Sequence, residues 1–294
     1  MSAIAAACTN DKVTPDENTA KLHPTTTTTT VAVDTAAPLV AAAGDIACPP
    51  TMRPGLGQCQ QEATAETIES LHPAAVLALG DLQYERGEYV NFVGAYDKSW
   101  GRFKRITNPA PGNHDWSTPN LRGYRTYWNK TTPWYSFDVG TWHLIALDSD
   151  CRSVGGCQAG SPQEQWLRAD LAKHPSKCIL AFWHHPRWSS GIHGSDDGYD
   201  DFWKALAAAG ADVVLVGHDH HYERFAPDRG IREFVVGTGG RSLYPTITVE
   251  QRSQVRDSHT FGVLALRLGR GAYSWQFVPS VPKDGFTDSG SGAC

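Results

Sequence analysis

Five short segments of oxygen and nitrogen donors stand directly after apolar, strand-like runs, and this recurrence constrains the fold of the 294-residue chain more than any other feature. They are Gly44-Asp45-Ile46, Gly80-Asp81-Leu82-Gln83-Tyr84, Gly112-Asn113-His114-Asp115, Trp183-His184-His185-Pro186 and Gly217-His218-Asp219-His220. Ligand sites of α/β proteins lie outside the carboxyl ends of strands, so a fold that gathers strand ends would gather these loops. Histidine is distributed the same way. His114, His184, His185, His193, His218, His220 and His221 fall in or just after the segments, out of 12 in the chain.

The runs between these segments read as strands and helices in alternation. Strand patterns cover Leu39–Ala43, Ala75–Leu79, Tyr135–Val139, His143–Leu147, Ile179–Trp183, Val213–Val216, Phe234–Val236, Gly262–Leu268 and Tyr273–Val278. Helical patterns cover Gln60–Leu71, Tyr89–Trp100, Gln163–Lys173 and Tyr199–Ala209. Ser161-Pro162, with Glu164 just behind, is a capped helix start with proline in the first turn. Helices separate the strands of the first half, whereas the last strands follow one another directly. That mixture indicates an α/β protein with some antiparallel sheet. No linker interrupts 38–294, which reads as one domain.

Residues 1–37 are of another kind. Asn10 to Asn18 is polar, and six threonines run from Thr25 to Thr30. Such a stretch buries too little apolar surface to offset its ordering entropy and reads as a disordered tether. Ile4-Ala5-Ala6-Ala7-Cys8 resembles the end of a bacterial lipoprotein signal, which would make Cys8 a lipidated membrane anchor. The basic start and apolar core of such a signal are missing, and an unstructured leader is an equal reading.

Cysteine spacing bears on the compartment. Cys48 and Cys59 bracket a Pro/Gly-rich loop, and Cys151 and Cys157 bracket five residues, both as expected of short loops closed by disulfides in an oxidising environment. Cys178 opens an apolar strand and is available to pair with the terminal Cys294, leaving Cys8 as a lipidation site or a free thiol. The expected location is secreted or cell-surface. A net charge of −5 offers no basic surface to nucleic acid or anionic lipid, and no protein partner is indicated. No apolar run approaches the ~20 residues that span a bilayer.

Taken singly, the donor segments are ambiguous. A Gly-Asp after a strand is ordinarily a turn whose carboxylate bonds nearby backbone. Tyr84 alone would read as a packing residue with a bonded hydroxyl. His218 and His220 say more, because alternate residues of an extended segment point the same way and suit two imidazoles facing one site. The ordered set says most. It resembles the calcineurin-like metallophosphoesterase superfamily and, through Tyr84, its purple acid phosphatase branch; Tyr222-Glu223-Arg224 and Gly237-Thr238-Gly239-Gly240 are also similar to that branch.

The resemblance implies a four-layer α/β/β/α sandwich with two mixed sheets and a single catalytic domain. It also implies two metal ions bridged by Asp81. Fe(III) would be held by Asp45, Asp81, Tyr84 and His220, and Fe(II), Zn or Mn by Asp81, Asn113, His184 and His218. Hard phenolate and carboxylate donors suit the ferric ion, and imidazole with amide oxygen suits the divalent one. The family histidine two before the proline selects His184, and strand alternation is expected to turn His185 away. His114 and His193 match the substrate-facing histidines that stabilise charge and protonate the leaving group, with Asp115 expected to orient His114. The implied reaction is hydrolysis of a small phosphate ester by in-line attack of a metal-bound hydroxide. A phosphodiesterase or nucleotidase would use the same centre, and a non-catalytic surface binding protein is the rival from another class. The N-terminal β-domain of the larger plant-type members has no counterpart in residues 1–37.

Overall fold

The structure, a computed structural model, describes residues 31–55, 57–175 and 178–294. Cys8 and the threonine run, with the rest of residues 1–30, lie outside the described residues. Residues 31–37, part of the expected tether, lie against the body of the protein. Val31 N–H donates to Ser291 Oγ at 2.8 Å, and Arg267 donates to the carbonyls of Thr35 and Ala37.

The first half of the chain runs β1 (Leu39–Ala43), α1 (Gln61–Leu71), β2 (Ala75–Leu79), α2 (Tyr89–Gly94), β3 (Thr107–Ala110), α3 (Arg122–Trp128), β4 (Tyr135–Val139) and β5 (Trp142–Ala146). The second half runs α4 (Pro162–Lys173), β6 (Cys178–Phe182), α5 (Asp200–Ala208), β7 (Val213–Val216), β8 (Tyr222–Phe225), β9 (Arg232–Val236), β10 (Ser253–Asp257), β11 (Phe261–Gly269), β12 (Ala272–Val281) and β13 (Ser289–Ala293). Two mixed sheets result. One has the order β13-β12-β11-β1-β2-β3 and the other β10-β8-β9-β7-β6-β5-β4. The strands β1, β2 and β3 are parallel neighbours in the first sheet, as are β5, β6, β7 and β9 in the second.

Period-two alternation divides the second sheet between two cores. Leu144, Leu180, Phe182 and Leu215 pack toward the first sheet, while Ile145, Ile179, Ala181 and Val214 pack toward α4 and α5. On the far side of the first sheet, Ala65 and Ile68 of α1, Phe92 of α2 and Tyr124 of α3 complete the layering. The architecture is therefore helix, sheet, sheet, helix. Burying each large aliphatic side chain contributes about 1.5–3 kcal/mol, so the two inner sheet faces dominate cohesion.

The capped start at Ser161 forms, with its side chain accepting from Glu164 N–H. The helix expected over Tyr89–Trp100 ends at Gly94, beside Pro50, and continues as two 3-10 turns. Four strands and one helix carry no clear sequence pattern. β3 contains Pro109 and is tolerated because it is an edge strand, where a missing N–H costs no ladder bond. β13 reads Ser-Gly-Ser-Gly-Ala and is an edge strand too. β8, β10 and α3 are short and gain their order from their neighbours: β8 lies between β9 and β10, and α3 packs on α2.

Three disulfides join Cys48 to Cys59, Cys151 to Cys157 and Cys178 to Cys294. The last ties the start of β6 in one sheet to the residue after β13 in the other. Its sequence separation is 116 against 6 for Cys151–Cys157, and loop-closure entropy grows with loop length. The double variant Cys178→Ala/Cys294→Ala is expected to lose about 5 kcal/mol in chemical denaturation, against about 2 kcal/mol for Cys151→Ala/Cys157→Ala. Equal losses would show that chain entropy does not set their contributions.

Candidate metal centre

The topology brings the five donor segments to one place. Asp45, Asp81 and Asn113 follow the parallel strands β1, β2 and β3, and His184 and His218 follow the parallel strands β6 and β7. The two sheets are stitched where these strands end. Gly44 N–H donates to Val236 O at 2.9 Å, and His218 N–H donates to Asp45 Oδ2 at 2.9 Å. Asp45, Asp81 and His218 take left-handed backbone angles, with φ of 61°, 48° and 70°. Non-glycine residues hold such angles at a cost of about 1–3 kcal/mol each, and they gather where a side chain must be aimed. Two motif glycines are explained by contact. A Cβ on Gly112 would lie 2.2 Å from Asp81 Oδ1, and one on Gly80 would lie 2.4 Å from His184 Nδ1.

Three side chains meet around the Tyr84 hydroxyl. It is 2.9 Å from Asp45 Oδ1, 2.9 Å from Asp81 Oδ2 and 3.0 Å from His220 Nε2. The other ring nitrogen of His220 pairs with Ser242 Oγ at 2.9 Å. A second group meets around His184. Its Nδ1 pairs with Leu79 O at 2.9 Å, which fixes the proton there and turns Nε2 toward Asn113 Oδ1 at 3.2 Å and Asp81 Oδ2 at 3.4 Å. The His218 ring lies 5.1 Å from that of His184. Asp81 Oδ2 belongs to both groups.

Two histidines flank the cluster. His114 donates its backbone N–H to Asp81 Oδ1 at 2.8 Å, and its ring lies 4.3 Å from that of Tyr84. Its Nδ1 is 2.6 Å from Glu85 O, and its Nε2 is 3.9 Å from Asp81 Oδ2. Asp115 stands elsewhere than expected. Its Oδ2 accepts from the backbone N–H groups of Leu82 and Gly112, so it braces the Asp81 loop against the Asn113 loop, while the Glu85 carbonyl meets the His114 ring. On the other side, His193 lies 4.2 Å from the His218 ring, and its Nδ1 is 2.7 Å from Asp219 Oδ1.

His185 also departs from the expectation that it turns away. β6 ends at Phe182, alternation lapses beyond it, and the His185 ring comes within 4.4 Å of His218. Its Nδ1 is engaged by Ser149 Oγ at 2.8 Å. Carboxylate and imidazole atoms of Asp45, Asp81 and His184, and imidazole atoms of His184, His185 and His218, form two groups spaced closely enough to hold a metal ion.

A calcineurin-like phosphoesterase family model matches residues 38–222, which include every donor described above. The chain belongs to the calcineurin-like phosphoesterase family. Among relatives of this family, an uncharacterized protein of Mycobacterium tuberculosis is 30% identical over 70% of this chain and 44% of its own length. Purple acid phosphatase 22 of Arabidopsis thaliana is 27% identical over 63% of this chain and 48% of its own. This chain spans about half the length of the curated relatives it matches. The solved purple acid phosphatase from yellow lupin seeds superposes with a TM-score of 0.68 at 20% identity, over 88% of this chain and 54% of that one, which shows a shared fold.

Members of the family carry two metal ions, and the donors here fit that requirement. One phenol proton faces three acceptor atoms at Tyr84, a surplus of lone pairs that a cation would satisfy. Burial, and then Asp45 and Asp81, push the Tyr84 phenol well above its ordinary range, so in the metal-free protein it stays protonated. Burial opposes charge on His184, but Asp81 and Asp45 outweigh it and lift that histidine to about 10. Burial, with His184 next to it, drives His185 down to about 3 and His218 lower still. Burial also resists ionisation of Asp81, yet His184, His114 and His218 hold it below the usual carboxylate range.

Asp219 is a residue of the candidate site that the sequence reading does not single out. It sits inside the Gly217–His220 motif, but only the fold shows its carboxylate turned to His193 rather than to its neighbours. Tyr244 was missed too; its ring stacks on His220 at 4.0 Å, and no motif marks it.

Burial lifts Asp115 to about 7 and both Asp148 and Glu233 to about 8, and His184 stands at about 10. All four are raised, so each contributes stability that is complete below its unfolded pKa and lost as pH rises through the folded one. The depressed histidines His185 and His218 act only below about 6.5. In chelator, the urea midpoint is therefore expected to fall steadily from about pH 6.5 to about 8.5, with Asp148→Asn flattening the slope. A midpoint that rises over that range contradicts this electrostatic account.

Proposed function

We propose that this chain is a dinuclear-metal hydrolase of small phosphate esters, an acid-phosphatase-like phosphomonoesterase. The observation that carries the reading is the position of Asp81 Oδ2, 2.9 Å from the Tyr84 hydroxyl and 3.4 Å from His184 Nε2, where one carboxylate joins two donor sets. The hard set, Asp45, Asp81, Tyr84 and His220, suits Fe(III). The mixed set, Asp81, Asn113, His184 and His218, suits Fe(II), Zn or Mn. Bound cations would supply Lewis-acid charge to the phosphoryl oxygens and a nucleophile from water near neutral pH.

The other steps fall to side chains of this protein. His220 and His184 each present Nε2 inward because Ser242 Oγ and Leu79 O occupy their other nitrogens. His114 is fixed by the Glu85 carbonyl and faces the centre with Nε2, where it would steady the phosphoryl oxygens. His193 is held through Nδ1 by Asp219, which favours the imidazolium and leaves Nε2 to deliver a proton to the departing alcohol oxygen. Asp219 in turn accepts from the Ser189 hydroxyl, so the pair does not swing freely. The three disulfides support an extracytoplasmic setting, and no described helix is long and apolar enough to cross a membrane.

The test is His193→Ala, assayed on p-nitrophenyl phosphate and bis-p-nitrophenyl phosphate with metal content measured in parallel. The expected variant keeps its metals and loses about 10²–10⁴-fold in kcat on the monoester. An unchanged rate removes His193 from the reaction. A wild-type protein faster on the diester than on the monoester replaces the phosphomonoesterase reading with a phosphodiesterase one.

A further inference from the structure

We infer that the leaving group of the ester is an apolar alcohol, aryl or alkyl, seated in a groove that begins at His193; this rests on the phosphoesterase reading above. The groove has a volume of about 500 Å³. One wall is the segment carrying Ile192, His193 and Ser195, and the other is the segment carrying Ile247, Val249 and Glu250. Ile192, Ile247 and Val249 are 43%, 67% and 55% exposed. Large aliphatic side chains set together and open to water beside a polar centre mark a surface that awaits an apolar group.

The groove is built rather than incidental. Ile247 N–H donates to Ser190 O at 2.8 Å, Glu250 N–H donates to Ser190 Oγ at 2.8 Å, and Ser195 Oγ donates to Glu250 Oε2 at 3.0 Å. These bonds fix the distance between the walls. The groove adjoins the metal centre through His193, which lines it and lies beside the His218 ring. Tyr244 N–H donates to His220 O at 2.8 Å, its ring stacks on His220, and it lies 6.1 Å from His193. The chain that lines the groove is thus the same chain that backs a proposed ligand. An alcohol that receives its proton from His193 Nε2 leaves along this wall. Its carbon skeleton then meets the aliphatic side chains of Ile192, Ile247 and Val249, which stand among the polar Ser195, Thr248, Glu250 and Gln251.

The experiment measures kcat/KM for ethyl, butyl and hexyl phosphate and for glycerol 2-phosphate, in the metal-replete wild type and in Ile247→Ser/Val249→Ser. The wild type is expected to gain severalfold with each lengthening of the chain, and the double variant to lose about tenfold in the ratio of hexyl to glycerol phosphate. Both side chains are more than half exposed, so the variant is expected to unfold at the wild-type temperature. Turnover that does not depend on chain length, or a ratio unchanged in the variant, overturns the groove assignment and leaves the phosphoesterase reading standing. No turnover of any of the four esters defeats that reading itself and the groove with it.

Discussion

The carboxylate of Asp81 touches both halves of the polar cluster through one oxygen, and the surrounding structure can be understood as holding that atom in place. Asp81 Oδ2 faces Tyr84 on one side and His184 on the other, while Oδ1 is taken by the backbone of His114. A left-handed turn aims the side chain, and Gly112 leaves room for it at a distance no other residue would allow. Asp115, buried beneath, ties Leu82 to Gly112 and so locks the two loops that flank Asp81. Removing any of these supports would move the one group that both donor sets share.

The sheets explain why such an arrangement is available. Parallel strands place their carboxyl ends side by side, and here two sets of parallel strands from two packed sheets end at the same edge. Each contributes a loop, and cross-sheet bonds such as Gly44 to Val236 and His218 to Asp45 close the gap between them. The apolar alternation of β5, β6 and β7 does not merely form a core. It sets the rotation at which each strand delivers its last residue.

Much of this was legible in the sequence, for physical reasons. Strong strand patterns with β-branched and aliphatic residues located β1, β2 and β7 with the bounds observed, and the donors stood directly after them. What escaped was what depends on neighbours remote in the chain. β3 is an edge strand whose composition argues against strand, and its parallel pairing with β2 gives it order. The helix from Tyr89 stops at Gly94, where Pro50 of a remote loop packs against it. The alternation rule misplaced His185, because it applies only while the strand lasts. Asp219 was visible as a letter in a motif, but its bond to His193 crosses 26 residues and no local pattern encodes it.

The flanking histidines follow a common principle: each has one nitrogen committed to a fixed acceptor, so the other is presented to the centre in a single orientation. Glu85 O does this for His114, and Asp219 does it for His193. That economy of protons makes the shared carboxylate the decisive group. Metal content of purified, metal-replete Asp81→Asn, read by elemental analysis beside the wild type, tests it most directly. Two equivalents in the wild type and loss of both in the variant is the predicted result. Retention of one or two full equivalents by Asp81→Asn would contradict the claim that a single side chain joins the two sites.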